Sequence, residues 1–283
     1  SHTTGPESVA TTSTGHDPAW RWWTAVGASL AVGWAAVAAP PVAHAAPVLV
    51  ADPGWVAYVD ANADTVGSTT DANALSLTSP TGSGTLKRIA DGSQITGVEV
   101  AGATAPTVSK SGSGTGTAAG TDAAAVFGGV VDLAGLLVLE AGGSTTLQFS
   151  GLDPGRTYTL VTTANRDRPG FAGVTTTFGL QGAVGWTNES SAGTTASADG
   201  AEVTFSTGYN TTAGLVARWT GVDPGPDGQV SLASTFGASV EVTAYAAAAV
   251  MLELEPAPDV AAPVITLLGA AVVQVPVGGV FVD

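Results

Sequence analysis

The chain has 283 residues and a formal net charge of −15, from 23 acidic against 8 basic residues. Such a surface repels phosphate, which excludes nucleic acid as an expected partner and argues against an anionic membrane face. There is no cysteine, so thiolate chemistry and disulfides are excluded, and a chain of this length buries enough surface to be exported without them.

Residues 1–46 read as a polar leader and a secretory signal. Ser1 to Ala19 is polar and carries no initiating Met; Arg21 then precedes an apolar run from Trp22 to Ala39, closed by Pro40 and Pro41. Ala43-His44-Ala45 is a small-x-small cleavage site before Pro47. This order is that of a signal peptide. At about 18 residues the run is just long enough for a span, so an uncleaved anchor is the rival reading and the one route to a membrane. The expected location is secreted or cell surface.

Residues 47–255 carry strand signals throughout. Trp55-Val56-Ala57-Tyr58-Val59 is a first strand with Trp55, Ala57 and Val59 on one face. Thr85 to Ile89 and Ile95 to Val100 follow between long Gly/Ser-rich loops, and the apolar stretch Val126 to Glu140 is expected to supply central strands. Its Gly128-Gly129 pair predicts a bulge or a close backbone contact. The chain is organised around Thr146 to Thr163, TLQFSGLDPGRTYTLVTT. Leu147 and Phe149 share one face, as do Tyr158 and Leu160. Between them Asp153 supplies a side-chain acceptor, Pro154 a preset φ, and Gly155 tolerance of φ > 0. The prediction is a strand, a tight reversal and a strand.

Ala172 to Leu180, Ala201 to Phe205 and Leu215 to Thr220 read as strands. Gly221-Val222-Asp223-Pro224-Gly225 then repeats the earlier Gly-apolar-Asp-Pro-Gly signature, predicting a second hairpin of similar shape. Val230 to Phe236, Val240 to Tyr245 and Ala248 to Leu254 complete a dozen or so strands, with Ala246 to Ala249 assigned to the sheet. The fold class is all-β, an antiparallel β-sandwich. Residues 256–262 form a proline-punctuated linker.

From 263 to 283, PVITLLGAAVVQVPVGGVFVD resembles the opening strands of bacterial immunoglobulin-like domains strung along large secreted proteins. That likeness implies a truncated domain and a parent chain with further immunoglobulin-like partners. The region Trp55 to Leu254 is similar to uncharacterised secreted bacterial β-sandwich modules, through FSGLDPGRTY (149–158), Thr163-Ala164-Asn165-Arg166, Trp186-Thr187-Asn188, Thr207-Gly208-Tyr209-Asn210 and Arg218-Trp219-Thr220. Those modules imply jelly-roll or galactose-binding-like architecture and no agreed ligand. Leu152-x-Pro154-Gly155-x-x-Tyr158 also resembles the tyrosine corner of fibronectin type III domains. It predicts a buried Tyr158 whose hydroxyl bonds main chain near residues 152–155.

Histidine occurs only at His2, His16 and His44, ahead of the proposed cleavage point. The processed chain therefore has no residues for a Ser-His-Asp triad, a Cys-His pair or a His/Cys zinc site. No catalytic residue is assigned. A glycosidase needs two carboxylates about 5 to 10 Å apart; Asp132, Glu140, Asp167 and Glu189 are available, with no spacing that favours a pair. Asp60, Asn62 and Asp64 with Asp71 resemble a calcium loop, but Thr65 stands where that turn uses Gly, so a plain polar loop is the competing reading.

Trp186, Asn188, Tyr209 and Asn210 combine aromatic rings with amides as sugar sites do, and Arg166 adds a rare cation. The competing reading makes the aromatics core residues, the stronger one for Trp219. Asn188-Glu189-Ser190 and Asn210-Thr211-Thr212 match the glycosylation pattern at near-chance frequency. The leading expectation is a non-catalytic extracellular module that binds a glycan. A structural spacer or adhesin stalk is the alternative, and a carboxylate hydrolase a third.

Overall fold

The computed structural model describes residues 54–61, 72–74, 83–104, 108–111, 114–237 and 243–257, together with the backbone of 264–266 and 272–274. The first strands are β1 (Trp55–Asp60), β2 (Asn73–Ala74), β3 (Ser83–Lys87), β4 (Gln94–Thr104) and β5 (Val108–Ser111). A short helix α1 (Asp122–Phe127) leads to β6 (Leu136–Glu140), β7 (Ser144–Ser150), β8 (Tyr158–Thr163) and β9 (Thr175–Gln181). Then come β10 (Gly185–Asn188), β11 (Thr195–Ala196), β12 (Glu202–Ser206), β13 (Ala217–Asp223) and β14 (Val230–Phe236). The last are β15 (Thr243–Tyr245), β16 (Ala249–Leu254), β17 (Val264–Thr266) and β18 (Val272–Gln274).

Two sheets form the sandwich, in the orders β10-β13-β8-β16-β1-β2 and β11-β12-β9-β14-β7-β4-β3. A logic of pairing runs through them. Taking β1, β7, β8, β9, β12, β13, β14 and β16 as one series, the first pairs with the eighth, the second with the seventh, the third with the sixth and the fourth with the fifth, all antiparallel. Successive rungs of that long hairpin fall in alternate sheets, which is the rolled path of a jelly roll. The fold class expected from the strand pattern is the one found.

Period-two burial explains the packing. In β7 the side chains of Thr145, Leu147 and Phe149 are buried while Gln148 is exposed, so one face meets the opposite sheet and the other meets water. The central strand β8 is buried on both faces. Across the sheet, on the outer face of β1, α1 lies over Tyr58: the Phe127 ring meets it edge-on at 6.0 Å between centroids. Trp219, Tyr158, Phe127, Phe149 and Phe178 are the largest fully enclosed side chains.

Three expectations are corrected here. Val126 to Glu140 does not supply central strands. Its start ends the helix α1, whose Thr121 hydroxyl caps the Ala124 N–H at 3.3 Å, and only Leu136–Glu140 is a strand, in a separate three-stranded sheet β15-β6-β5. An alanine-rich DAAAVF run with a threonine cap favours helix over strand. The Gly128 expectation holds, since a Cβ there would lie 2.4 Å from the Ala124 carbonyl oxygen. Of Ala246 to Ala249, only Ala249 is in a strand; the other three form a buried connection between β15 and β16.

The third correction concerns the organising stretch. Its turn is as read: Pro154 and Gly155 sit centrally, Arg156 N–H donates to the Asp153 carbonyl at 3.1 Å, and Gly155 N–H donates to Asp153 Oδ1 at 2.8 Å. The flanking strands, however, lie in different sheets, so the corner is an arch across the sandwich and not a hairpin. The same holds for Asp223-Pro224-Gly225 between β13 and β14, where Gly225 N–H donates to Asp223 Oδ1 at 2.9 Å. At the first arch the left-handed backbone falls on Gly151 (φ 73°) and not on Gly155. Tyr158 is buried, and its hydroxyl accepts the Asp153 N–H at 2.8 Å, as the corner resemblance predicts.

The leader and signal segment, residues 1–46, lie outside the described residues. Of 263–283 only the backbone of β17 and β18 is described, an antiparallel pair with Ile265 opposite Val273. Among the described residues no helix is long and apolar enough to cross a membrane.

Candidate functional site

The first arch borders a cleft of 440 Å³ at one end of the sandwich. Its floor is three neighbouring rungs of one sheet: Trp55 on β1 stands opposite Leu254 on β16, and Leu254 opposite Tyr158 on β8. The Trp55 and Tyr158 rings lie 5.9 Å apart. One wall exists because β4 outruns its partner. Pairing with β7 stops at Glu99 opposite Ser150, so Gln94 to Val98 run on past β7 with only β3 beside them, and Gly97 in this overhang has φ 80°.

The other wall is the first arch, through Gly151, Asp153 and Arg156; the β3–β4 turn adds Arg88 and Ser93 at the rim. Volume and lining, an apolar floor with convergent polar groups, fall within the range of small-molecule sites. Trp55 is 9% exposed, so it offers an edge and the polar walls must carry recognition.

The electrostatics of this end are specific. At the rim, the Ser93 hydroxyl and then its N–H hold the Asp91 carboxyl below the usual carboxylate range, with Arg88 adding to the effect. Behind the arch, Glu255 is raised by partial burial, but the Gly221 N–H and the Thr157 and Thr159 hydroxyls outweigh this and lower its pKa overall. The three bonds are 2.8, 2.7 and 2.8 Å. Gly221, at φ 58°, lies where the β13–β8 register shifts, so Glu255 satisfies an N–H that the ladder leaves out. The Glu255 carbonyl in turn accepts Arg156 Nη2 at 2.8 Å, anchoring a cleft wall to the end of β16.

This clasp makes a pH prediction. Because the folded pKa is depressed, its contribution is complete above the unfolded value of about 4.5 and is lost as pH falls through the folded one. Glu255→Gln keeps the shape and removes the charge, costing about 1 kcal/mol at pH 7. Urea midpoints of the two proteins should differ at pH 7 and converge as the pH falls through the depressed folded value; a constant gap would disprove the assignment.

The candidates named from sequence do not form one site. Trp186 and Asn188 lie on the edge strand β10, where Gly185 pairs with Asp223 and Asn188 with Trp219. Trp186 is half-buried and its indole N–H donates to the Asp199 carbonyl at 3.3 Å, while Asn188 Nδ2 donates to Gly200 at 2.8 Å. Trp219 is in the core, as its flanks predict, with its N–H on the same Gly200 carbonyl at 2.9 Å.

Tyr209, Asn210 and Arg166 lie at the opposite end. Arg166 N–H donates to Thr207, and Asn210 N–H to Asn165 Oδ1, both at 2.9 Å. Trp186 and Asn188 lie along β13 between Asp223 and Trp219, whereas Asn210 bonds Leu215, ahead of that strand's start. Arg166 has its guanidinium 5.6 Å above the Tyr245 ring, and Tyr209, like Trp186, is half-buried. Asn210 has no exposed surface; Nδ2 donates to Leu215 O, Thr163 Oγ1 and Ala164 O, and Oδ1 accepts Leu215 N–H. It holds the fold together and presents nothing to a ligand.

The four possible acid/base carboxylates sit on separate segments: Asp132 before β6, Glu140 at its end, Asp167 in the β8–β9 loop and Glu189 after β10. Asp60 is buried at the end of β1, opposite Ala249; Asn62, Asp64 and Asp71 lie outside the described residues. Among the described residues there is no group of three or more His, Cys, Asp or Glu side chains able to hold a metal ion.

Sequence reasoning missed the cleft. Arg88 and Arg156 are two of eight basic residues in the chain, which was an available signal, but only the β3–β4–β7 pairings bring them to one place. Compared with known protein families, curated proteins and solved structures, the chain finds no match.

Proposed function

We propose that this is a non-catalytic extracellular binding module of the secreted bacterial β-sandwich kind, set beside immunoglobulin-like repeats, and that the arch-end cleft takes a saccharide. The observation that carries the reading is the cleft itself: an aromatic and aliphatic floor flanked by Arg, Asp, Gln, Ser and Thr side chains that both donate and accept. Hydroxyl-rich ligands need that mixture, because every buried ligand hydroxyl must find a partner. The floor is preformed by sheet pairing, so little ordering is required on binding. A jelly roll that presents its site at an end leaves its sheet faces available for neighbouring domains.

The test is a glycan array probed with the full chain beside Thr96→Trp. Thr96 is exposed on the cleft wall, and a bulky ring there fills the space without disturbing the core. Binding by the parent and loss in the variant support the reading. If neither protein retains a glycan, the spacer or stalk function takes its place; if both bind alike, the site lies elsewhere.

A further inference from the structure

We infer that the cleft selects a saccharide bearing a carboxylate, a uronic or sialic acid unit; this rests on the saccharide reading above. Three observations carry it. First, bases are scarce, 8 against 23 acids, yet Arg88 and Arg156 come from two distant turns to line one cleft. Second, among the described residues a single carboxylate lines the same cleft, that of Asp153, and one of its oxygens, Oδ1, accepts the Gly155 N–H of its own turn at 2.8 Å. Third, Arg156 is oriented from behind, through its bond to the Glu255 carbonyl, which fixes one cation while exposed Arg88 closes from the rim.

A guanidinium matches a carboxylate in plane and charge, and a neutral sugar has no group that uses that match fully. On a protein with a charge of −15 the long-range field works against any anion. Selection must therefore come from short-range contacts to these two side chains. Asp91 beside Arg88 stays ionised, its oxygen held by Ser93, and offsets part of the Arg88 charge, so the preference rests on directed guanidinium N–H contacts and not on net charge. The arrangement also sets a polarity: the acid group meets the rim, and the ring's apolar face lies toward Leu254 and the edge of Trp55.

Matched pairs test it by isothermal titration of the full chain: methyl β-glucuronide against methyl β-glucoside, and 3′-sialyllactose against lactose. At least one acidic member should bind about tenfold or more tightly than its neutral partner. Arg88→Ala should bring the acid down to the neutral affinity, and Arg88→Lys should restore only part of the difference. Equal binding of acid and neutral sugar overturns the inference while leaving the saccharide reading intact. An acid preference unchanged in Arg88→Ala overturns the assignment to these residues. No binding of any of the four overturns the inference and leaves the saccharide reading to the glycan array.

Discussion

Gly151→Ala is expected to cost about 2–5 kcal/mol, a large fraction of the stability of a marginally stable domain. Two effects add. Gly151 has φ 73°, a conformation that costs an L-residue about 1–2 kcal/mol. Its Cβ would lie 1.8 Å from the Gly97 carbonyl oxygen, a contact that only backbone movement relieves, at about 1–3 kcal/mol more. That movement would pull the β4 overhang away from the arch and open the cleft wall. Gly155→Ala is the control: its backbone is not left-handed and the nearest atom to a new Cβ is Asp153 Oδ1 at 3.3 Å. Urea midpoints for both variants check the claim, and a cost at Gly155 equal to that at Gly151 would refute it.

That contrast also shows what was legible in the sequence. The DPG turn, the buried tyrosine and the strand Val230–Phe236 were readable because each depends on a few adjacent residues: turn chemistry, an aromatic after a corner, apolar residues at alternate positions such as Val230 and Leu232. The φ > 0 glycine was misplaced by four positions because two glycines flank the arch. That position 151 admits no side chain is set by Gly97, more than fifty residues away in sequence. Whether the corner joins strands within a sheet or across the sandwich was likewise unreadable, since a period of two specifies a buried face and no partner. The helix at Asp122–Phe127 was hidden by apolar neighbours that blur its period.

The cleft and the amide network failed for related reasons. Arg88 and Arg156 look like two solvated cations until the overhang of β4 is known. Asn165 and Asn210 look like loop polar groups until the loops 164–174 and 207–216 are seen to fold onto each other. Among Thr and Gly, an asparagine that anchors a loop and one that greets a sugar have the same local signature. Burial separates them, and burial is a property of the assembled sandwich.

Asn210→Ala therefore carries the second large expectation, a loss of about 3–4 kcal/mol with no selective effect on any ligand. The side chain is fully enclosed and makes four hydrogen bonds, to Leu215 N–H, Leu215 O, Ala164 O and Thr163 Oγ1. Truncation leaves the Leu215 N–H without its 2.7 Å acceptor, and an enclosed unsatisfied group of this kind costs about 1–3 kcal/mol. The carbonyl of Ala164 also loses its bond to this amide, and a small void is added. Asn210→Asp is the sharper probe because it keeps the volume. It would turn a carboxylate oxygen toward three acceptor oxygens in place of the Nδ2 donors, so it should cost at least as much as alanine at pH 7. A ligand-binding asparagine would behave otherwise: both variants would unfold at the parent midpoint and fail only in glycan binding. Urea titration followed by tryptophan fluorescence, with Trp219 reporting from the core, separates these outcomes. Parent-like midpoints for both variants would show that the network around Asn165 and Asn210 does not hold the two loops.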